Sequence, residues 1–331
     1  MSGAVKKEDG KVVALCGGVG GAKLALGLAH VVAPGALTLI VNTADDFEHL
    51  GLHISPDIDT VLYTLAGLND RERGWGRADE TWNFMAALRG LGGETWFQLG
   101  DRDLATHIER ARRLRDGDSL SATTAALADK LGIEARILPM TDAPVRTIVE
   151  TLEGALPFQR YFVERRCEPV VRSIRFEGAE TAPAAPCVRE ALSDPDLRAI
   201  IMCPSNPYLS IDPVLAVSEI RHALESAPAP IVAVSPIIGG QAVKGPASKI
   251  MAELGIQPNN FAIAAHYRQL IDGLIVDEAD RAEAAQIDIP VRTTATLMHS
   301  LDDRIRLAGE ALDFAATLRA SNRRPLKAAA S

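Results

Sequence analysis

Short apolar runs that end in glycine, proline or polar residues recur along the chain, and helical spacing follows several of them. Val12 to Leu15 form the first such run, whose length and flanks predict a buried parallel strand. Leu24, Leu28 and Val31 then recur at helical spacing, so GAKLALGLAHVV reads as a helix that Pro34-Gly35 ends. ALTLIVN is the next strand, and the succession strand, loop, helix, strand opens a doubly wound α/β sheet. SPDIDTVLYTLAGL reads as a helix with Ser55 at its N-cap and Pro56 in its first turn. ETWFQL reads as a strand with Trp96 and Phe97 on opposite faces, and DLATHIERARRL as an amphipathic helix behind it. SLSATTAALADKLG is a helix closed by Gly132, and ARILPM is a further strand.

The texture changes near residue 143. VRTIVETLEGALPFQRYFVERRCEPVVRSIRF mixes β-branched, aromatic and charged residues without a long helical pattern, which predicts a small β-rich insertion. After the loop EGAETAPAAP the α/β rhythm returns. RAIIMCPSNP and PIVAVSPIIGG read as strands entering loops, and DPVLAVSEIRHALE and GPASKIMAELG as helices. DGLIVDEAD and IPVRTTATLM read as late strands. The expected architecture is α/β: a Rossmann-like, doubly wound, mainly parallel sheet over 11–142 and 191–320. A smaller β-rich domain is inserted over 143–190, and 1–10 and 321–331 are expected to be flexible tails.

Composition narrows the function. The chain has 331 residues, 47% hydrophobic and 24% charged, which is an ordinary soluble range. A net charge of -8 argues against nonspecific binding to nucleic acid or acidic membranes as the main role. The 4 cysteines, at positions 16, 167, 187 and 203, form no CxxC pair, so neither a zinc site nor a disulfide framework is expected. The N-terminal MSGAVKKEDG lacks an apolar signal core, and no window reaches the ~18 apolar residues of a membrane span. A cytoplasmic protein is the expectation, and a local basic site for a small anion stays open.

Ligands of such sheets bind outside the carboxyl ends of the strands. The first boundary is CGGVGGAK, Cys16 to Lys23. It fails the dinucleotide fingerprint, because the third glycine would fall on Lys23, and it fails the Walker A pattern, because Ala22 precedes Lys23. Gly17, Gly18, Gly20 and Gly21 still allow close approach to an anion at a helix N-terminus, with Lys23 adding charge. The second boundary, NTADDFEHLGLHISPDIDT, clusters Asp45, Asp46, Asp57 and Asp59 with His49 and His53. Clustered carboxylates suit a hard divalent cation that bridges phosphate oxygens; N-capping is the alternative for Asp57 and Asp59. In WFQLGDRDLATH, Asp101 and Asp103 bracket Arg102 at a strand-to-helix junction, where one aspartate can cap the helix and Arg102 can grip an anion. CPSNPYLSI places Ser205 and Asn206 where they can meet a nucleobase or sugar, or form a rigid turn. SPIIGGQAVKGPASK combines Gly239, Gly240, Lys244, Gly245 and Ser248 into a second anion cradle.

The blocks GGVGGAKL, NTADDFEHLGLHISPDIDT, WFQLGDRDLATH, MTD, PSNPYLSI and SPIIGGQAVKGPASK, in that order, resemble the 2-phospho-L-lactate transferase family of coenzyme F-420 biosynthesis. The resemblance spans roughly residues 12 to 310. It implies a Rossmann-like fold, a homodimer and a magnesium-dependent phosphotransferase. The deazaflavin Fo would accept a phospho-carboxylic acid unit from a guanosine-diphospho donor, releasing GMP. The unit would be of phospholactate, phosphoenolpyruvate or phosphoglycerate type. It further implies Asp45 and Asp59 as catalytic and metal-holding groups, with Asp46 or Asp57 as the next metal candidate. Gly17, Gly18, Gly20, Gly21, Lys23, Ser205, Asn206, Ser235, Gly240 and Lys244 would bind phosphates and nucleotide. Asn42, Thr43, Asp45, His53, Trp96 and Asp101 would bind Fo. Val19 departs from the threonine common in the first block, which leaves that work to backbone amides. A nucleotide-sugar-binding regulatory protein of the related gluconeogenesis-factor family is the alternative; it shares the glycine loop and ADD, but typically continues with glycines and serines.

Overall fold

The computed structural model describes residues 10–242 and 246–321. Its centre is a parallel sheet of seven strands. In chain order these are β1 (Lys11–Cys16), β2 (Leu37–Val41), β3 (Arg136–Pro139), β4 (Leu197–Met202), β5 (Ile231–Val234), β6 (Gly273–Asp277) and β7 (Val291–Thr294). Their spatial order is β3-β2-β1-β4-β5-β6-β7, with every neighbouring pair parallel. The strand order reverses between β1 and β4, which is where such sheets open a crevice for ligands.

The apolar runs are continuous because both faces of the sheet are covered. Val13 and Leu15 of β1 belong to one core, and Val12, Ala14 and Cys16 to the other. The second core is filled by α1 (Gly18–Val31), α2 (Pro56–Leu65) and the long helix Leu301–Ser321. The first core is filled partly by the expected insertion. Its strands Arg146–Thr151, Gly154–Pro157 and Val171–Glu177 form an antiparallel sheet. Val149, Phe158, Tyr161 and Val171 bury into the same core as Val13 and Leu15, so the insertion leans on the main sheet and keeps no core of its own.

Several expectations are corrected. Residues 94–99, read as a strand, have no sheet partner. They run as irregular chain, in which Trp96 and Phe97 pack against each other and against Phe47. Helix α3 (Asn83–Gly90) precedes this segment and α4 (Asp101–Arg115) follows it. The helix read in DPVLAVSEIRHALE breaks at Val217 into Asp212–Ala216 and Ser218–Glu225. The long helix Leu301–Ser321 extends to Ser321, into the segment expected to be a tail; the rest of both tails, apart from Gly10, lies outside the described residues. Helix α5 (Leu120–Lys130) begins as expected, with Ser119 Oγ accepting from the Ala122 N–H at 3.1 Å. Among the described residues no helix is long and apolar enough to cross a membrane.

Helix α1 and the long helix Leu301–Ser321 meet through a glycine. A Cβ on Gly27 would lie 2.1 Å from the Arg304 carbonyl oxygen, so backbone rather than a movable side chain blocks it. Gly27→Ala is therefore expected to lower stability by about 2 kcal/mol through overpacking. Urea unfolding checks this; a loss under about 0.5 kcal/mol would mean that the two helices separate easily.

Candidate active site

The crevice between β1 and β4 is closed by direct contact of the two loops. The Gly17 N–H donates to Ser205 Oγ at 3.2 Å, and the Ser205 hydroxyl donates to the Gly17 carbonyl at 2.8 Å. A Cβ on Gly20 would sit 2.4 Å from the Pro204 carbonyl oxygen, and one on Gly21 would sit 2.5 Å from Ser205 Oγ. Helix α1 starts at Gly18, so Gly18, Gly20 and Gly21 form its first turn rather than a free loop. Close packing against the 203–206 loop accounts for Gly20 and Gly21. Gly18 differs: its φ is +61°, a left-handed conformation, and its N–H donates to Asp57 Oδ1 at 2.7 Å. A carboxylate thus stands at the positive end of α1.

Asp57 shares this side of the crevice with two further buried acidic groups, Asp45 and Asp46. Asn42 joins them: its Nδ2 donates to Asp57 Oδ2 at 3.0 Å and to the Leu209 carbonyl at 3.3 Å. Its Oδ1 accepts from the Ala44 N–H, which turns the chain after β2 so that Asp45 and Asp46 face inward. Asp46 Oδ2 accepts from the Ser55 hydroxyl at 2.7 Å and pairs with His53 Nε2 at 3.0 Å. Asp45 Oδ1, Asp46 Oδ1 and Thr43 Oγ1 are buried without a hydrogen-bond partner. Burial, then the charge of Asp57, pushes the Asp45 carboxyl well above the ordinary carboxylate range. Burial raises Asp57 to about 6, against the lowering contacts of Asn42 and Gly18. Unpaired buried carboxylate oxygens at a strand end fit a hard cation. Among the described residues no three acidic, imidazole or thiol side chains form a ready cage. The fit is therefore to an ion held by Asp45 and Asp46 and completed by oxygens from a bound phosphate or water.

Asp59, expected beside Asp45, faces elsewhere. Two residues apart on a helix, Asp57 and Asp59 point to opposite sides. Both Asp59 oxygens accept from the guanidinium of Arg110, Oδ2 at 3.1 Å from Nη1 and Oδ1 from Nη2. Arg110 is fully buried and also touches His107 Nδ1 at 3.2 Å. His107 Nε2 lies 3.3 Å from Asp103 Oδ1, which accepts from the Tyr63 hydroxyl at 2.6 Å. The Asp59 carboxylate is already neutralised by this network, so Asp57 takes its place in the acidic group.

Other expected residues are also committed. Asp101 accepts from the Thr81 hydroxyl, from the N–H groups of Phe84 and Asn83, and from the Asn83 side chain. These contacts cap α3 and hold the Asp101 carboxyl down at about 2. It ties the start of α3 to the start of α4. Asn206 Oδ1 accepts from the N–H groups of Tyr208 and Leu209, which starts the helical turn Pro207–Ile211. Ser205 is buried and locked to Gly17. Ser235 Oγ accepts from the Ile237 N–H, and Gly239-Gly240 turn a two-residue hairpin with φ of +59° and +72°. Lys23 Nζ donates to the Met298 carbonyl at 3.0 Å, beyond the carboxyl end of β7. Lys244 lies outside the described residues.

Trp96 stays at the site's edge. Its ring is 5.8 Å from Phe47 and 5.2 Å from His49, and the Arg160 guanidinium of the insertion lies 4.3 Å from its centre. His49 is buried, its Nε2 has no partner, and burial lowers its pKa. Phe47 lies within the acidic strand-end block but gives no chemical signal there, and Arg110 and Arg160 lie outside the strand-end loops, inside helical elements. A signal for Arg110 is present in the sequence: helical spacing puts it on the same face of DLATHIERARRL as Asp103, His107 and Ala111, all of which are buried.

The raised Asp45 pKa has a consequence for stability. Below the unfolded value of 3.8 both states hold the proton. As pH rises the unfolded state ionises first, so the native state binds more protons and stability falls. Asp45→Asn, nearly isosteric and neutral, is expected to raise stability by about 1 kcal/mol at pH 7.5 without divalent cation. The gain should vanish by about pH 4. Thermal melts at the two pH values check this; a loss at pH 7.5 would contradict it.

Comparison with known proteins gives independent ground for a functional reading. A phosphoenolpyruvate transferase of Kitasatospora aureofaciens is 43% identical over 319 residues, covering 93% of this chain and 99% of that protein. A 2-phospho-L-lactate transferase of Methanosarcina mazei is 41% identical over 272 residues, covering 82% of this chain and 88% of that protein. A crystal structure of a UPF0052-family protein from Bacillus halodurans superposes with a TM-score of 0.58 at 15% identity, covering 92% of this chain and 99% of that one, and shares the fold. The family model for 2-phospho-L-lactate transferase CofD matches residues 12–305. The chain belongs to the 2-phospho-L-lactate transferase CofD family of transferases.

Proposed function

We propose that this transferase joins the deazaflavin Fo to a phospho-carboxylic acid unit in coenzyme F-420 biosynthesis. The donor is a guanosine-diphospho-linked acid. The terminal ribityl hydroxyl of Fo forms a new oxygen–phosphorus bond to the phosphorus that carries the acid. The bridging phosphorus–oxygen bond breaks, and its electron pair leaves with GMP. The observation that supports this reading is the pair of partnerless, buried oxygens on Asp45 and Asp46, close to the N-terminus of α1. A diphosphate brings negative charge to this pocket, and a cation at Asp45 and Asp46 would neutralise it.

Displacement at a diphosphate depends on neutralising charge and aligning the reacting groups. Asp45 and Asp46 would hold magnesium, whose role when bound is to neutralise the phosphate oxygens. Asp45 also suits a second role. Burial raises its pKa, so a carboxylate there is a better proton acceptor for the attacking hydroxyl. The hydroxyl's proton would pass to the other Asp45 oxygen, Oδ2, which leaves Oδ1 to the metal. The backbone of Gly17 and Gly18 would floor the diphosphate, with Asn42 orienting Asp57 beneath it. Trp96, Phe47 and His49 offer a partly exposed aromatic wall to the planar ring of Fo. A cytoplasmic homodimer is part of the same proposal, and light scattering tests the dimer directly.

Product formation and two variants check the reading. Incubation with Fo, magnesium and each donor type is expected to yield one dominant coupled product by mass spectrometry; no product with any donor would overturn the assignment. Asp46→Ala is expected to cut kcat at least ~100-fold while circular dichroism stays native. Trp96→Ala is expected to raise KM for Fo by about 10-fold with a smaller change in kcat, from the loss of one aromatic contact.

A further inference from the structure

The buried charge network between α2 and α4 has no direct part in the chemistry above. Arg110 is completely shielded from solvent, and its partners Asp59, His107 and Asp103 are also buried. A charged guanidinium in this position is expensive to desolvate, and an apolar pair of similar volume would often serve stability as well or better. The network's connections point to a second role. Asp59 lies two residues after Asp57 on the first turn of α2. Asp57 is held from one side by Gly18 and Asn42, while Asp59 is held from the other by Arg110. The rotation of α2 about its axis is therefore pinned on both sides. Arg110 Nη1 also lies 3.5 Å from the His53 carbonyl oxygen, and the His53 ring meets Asp46 Oδ2. Ser55, two residues on, donates to the same oxygen. One side chain thus touches both segments that position Asp46 and Asp57.

We propose that Arg110 is a positioning residue for the acidic pocket, acting through Asp59 and the His53 carbonyl to hold Asp57 and Asp46 in place. Asp103, His107 and Tyr63 brace it from behind. The proposal rests on the transferase reading for its kinetic readout and on the cation site at Asp45 and Asp46 for its metal-binding readout.

The test compares Arg110→Met, the double variant Arg110→Met/Asp59→Leu, and Arg110→Lys. Arg110→Met leaves Asp59 buried without its partner and should melt at a lower temperature. The double variant removes both charges and should recover the wild-type melting temperature. Binding of Mn2+ in the presence of GMP, followed by electron paramagnetic resonance, should nonetheless weaken about 10-fold or more in the double variant. Its kcat should fall by a similar factor, with KM for Fo changed less than about threefold. Arg110→Lys, which keeps the charge, should recover part of the Mn2+ affinity. A double variant with recovered melting temperature, unchanged Mn2+ affinity and unchanged kcat would reduce the network to a structural tie and overturn the proposal. Wild-type protein that binds Mn2+ but forms no product would instead count against the transferase chemistry and leave the positioning role to the Mn2+ comparison.

Discussion

Asp57 sits at the N-terminus of α1, and much of the site's geometry depends on that contact. The carboxylate accepts from the Gly18 N–H, and this brings α2 against the end of β1. It leaves no room for side chains there: a Cβ on Gly17 would meet Asp57 Oδ2 at 2.5 Å and the Ser210 side chain at 2.7 Å. Asn42, fully buried, bridges Asp57 to the Leu209 carbonyl, which draws the loop after β4 into the same arrangement. The chain leaving β1, β2 and β4 is thereby fixed around one carboxylate.

That arrangement carries an unbalanced charge. Two like charges about 4 Å apart cost roughly 4 kcal/mol near a protein surface. The charges of Asp57 and Asp46 help to raise the Asp45 pKa, and that of Asp46 helps to raise the Asp57 pKa. The protein answers the same problem in two ways within one short stretch of chain. Asp59 is paired with Arg110, and the result is a rigid tie. Asp45 and Asp46 keep buried oxygens without partners. Carboxylate oxygens left without partners at one place, beside a fully paired carboxylate, fit the proposed site for a cation and an anionic substrate.

The sheet is legible in the sequence because both of its faces are buried, so its strands stand out as unbroken apolar runs between glycine and proline. The carboxyl-end rule then locates the acidic segment from Asn42 to Thr60. The choice between Asp57 and Asp59 is not legible. Their difference is a rotation on a helix plus the identity of Arg110, 51 residues beyond Asp59 in sequence. ETWFQL resembles a strand because aromatic and β-branched residues favour strands; packing of Trp96 and Phe97 against Phe47 prevails over that preference. The long helix Leu301–Ser321 is hard to see because its charged residues dilute the apolar stripe, although Leu307, Ala311, Leu312 and Phe314 all bury into the core. The Ser205 hydroxyl is engaged with Gly17 and the Asn206 Oδ1 with the following turn, contacts that residue type alone does not reveal.

The proposed cation site at Asp45 and Asp46, completed by a phosphate ligand, is tested most directly by thermal unfolding at pH 7.5 with Mg2+ and GMP, added separately and together. The two together should raise the wild-type Tm by more than the sum of the separate shifts, and Asp45→Asn should lose this excess. An equal excess in wild type and Asp45→Asn, or none in wild type, would contradict the site.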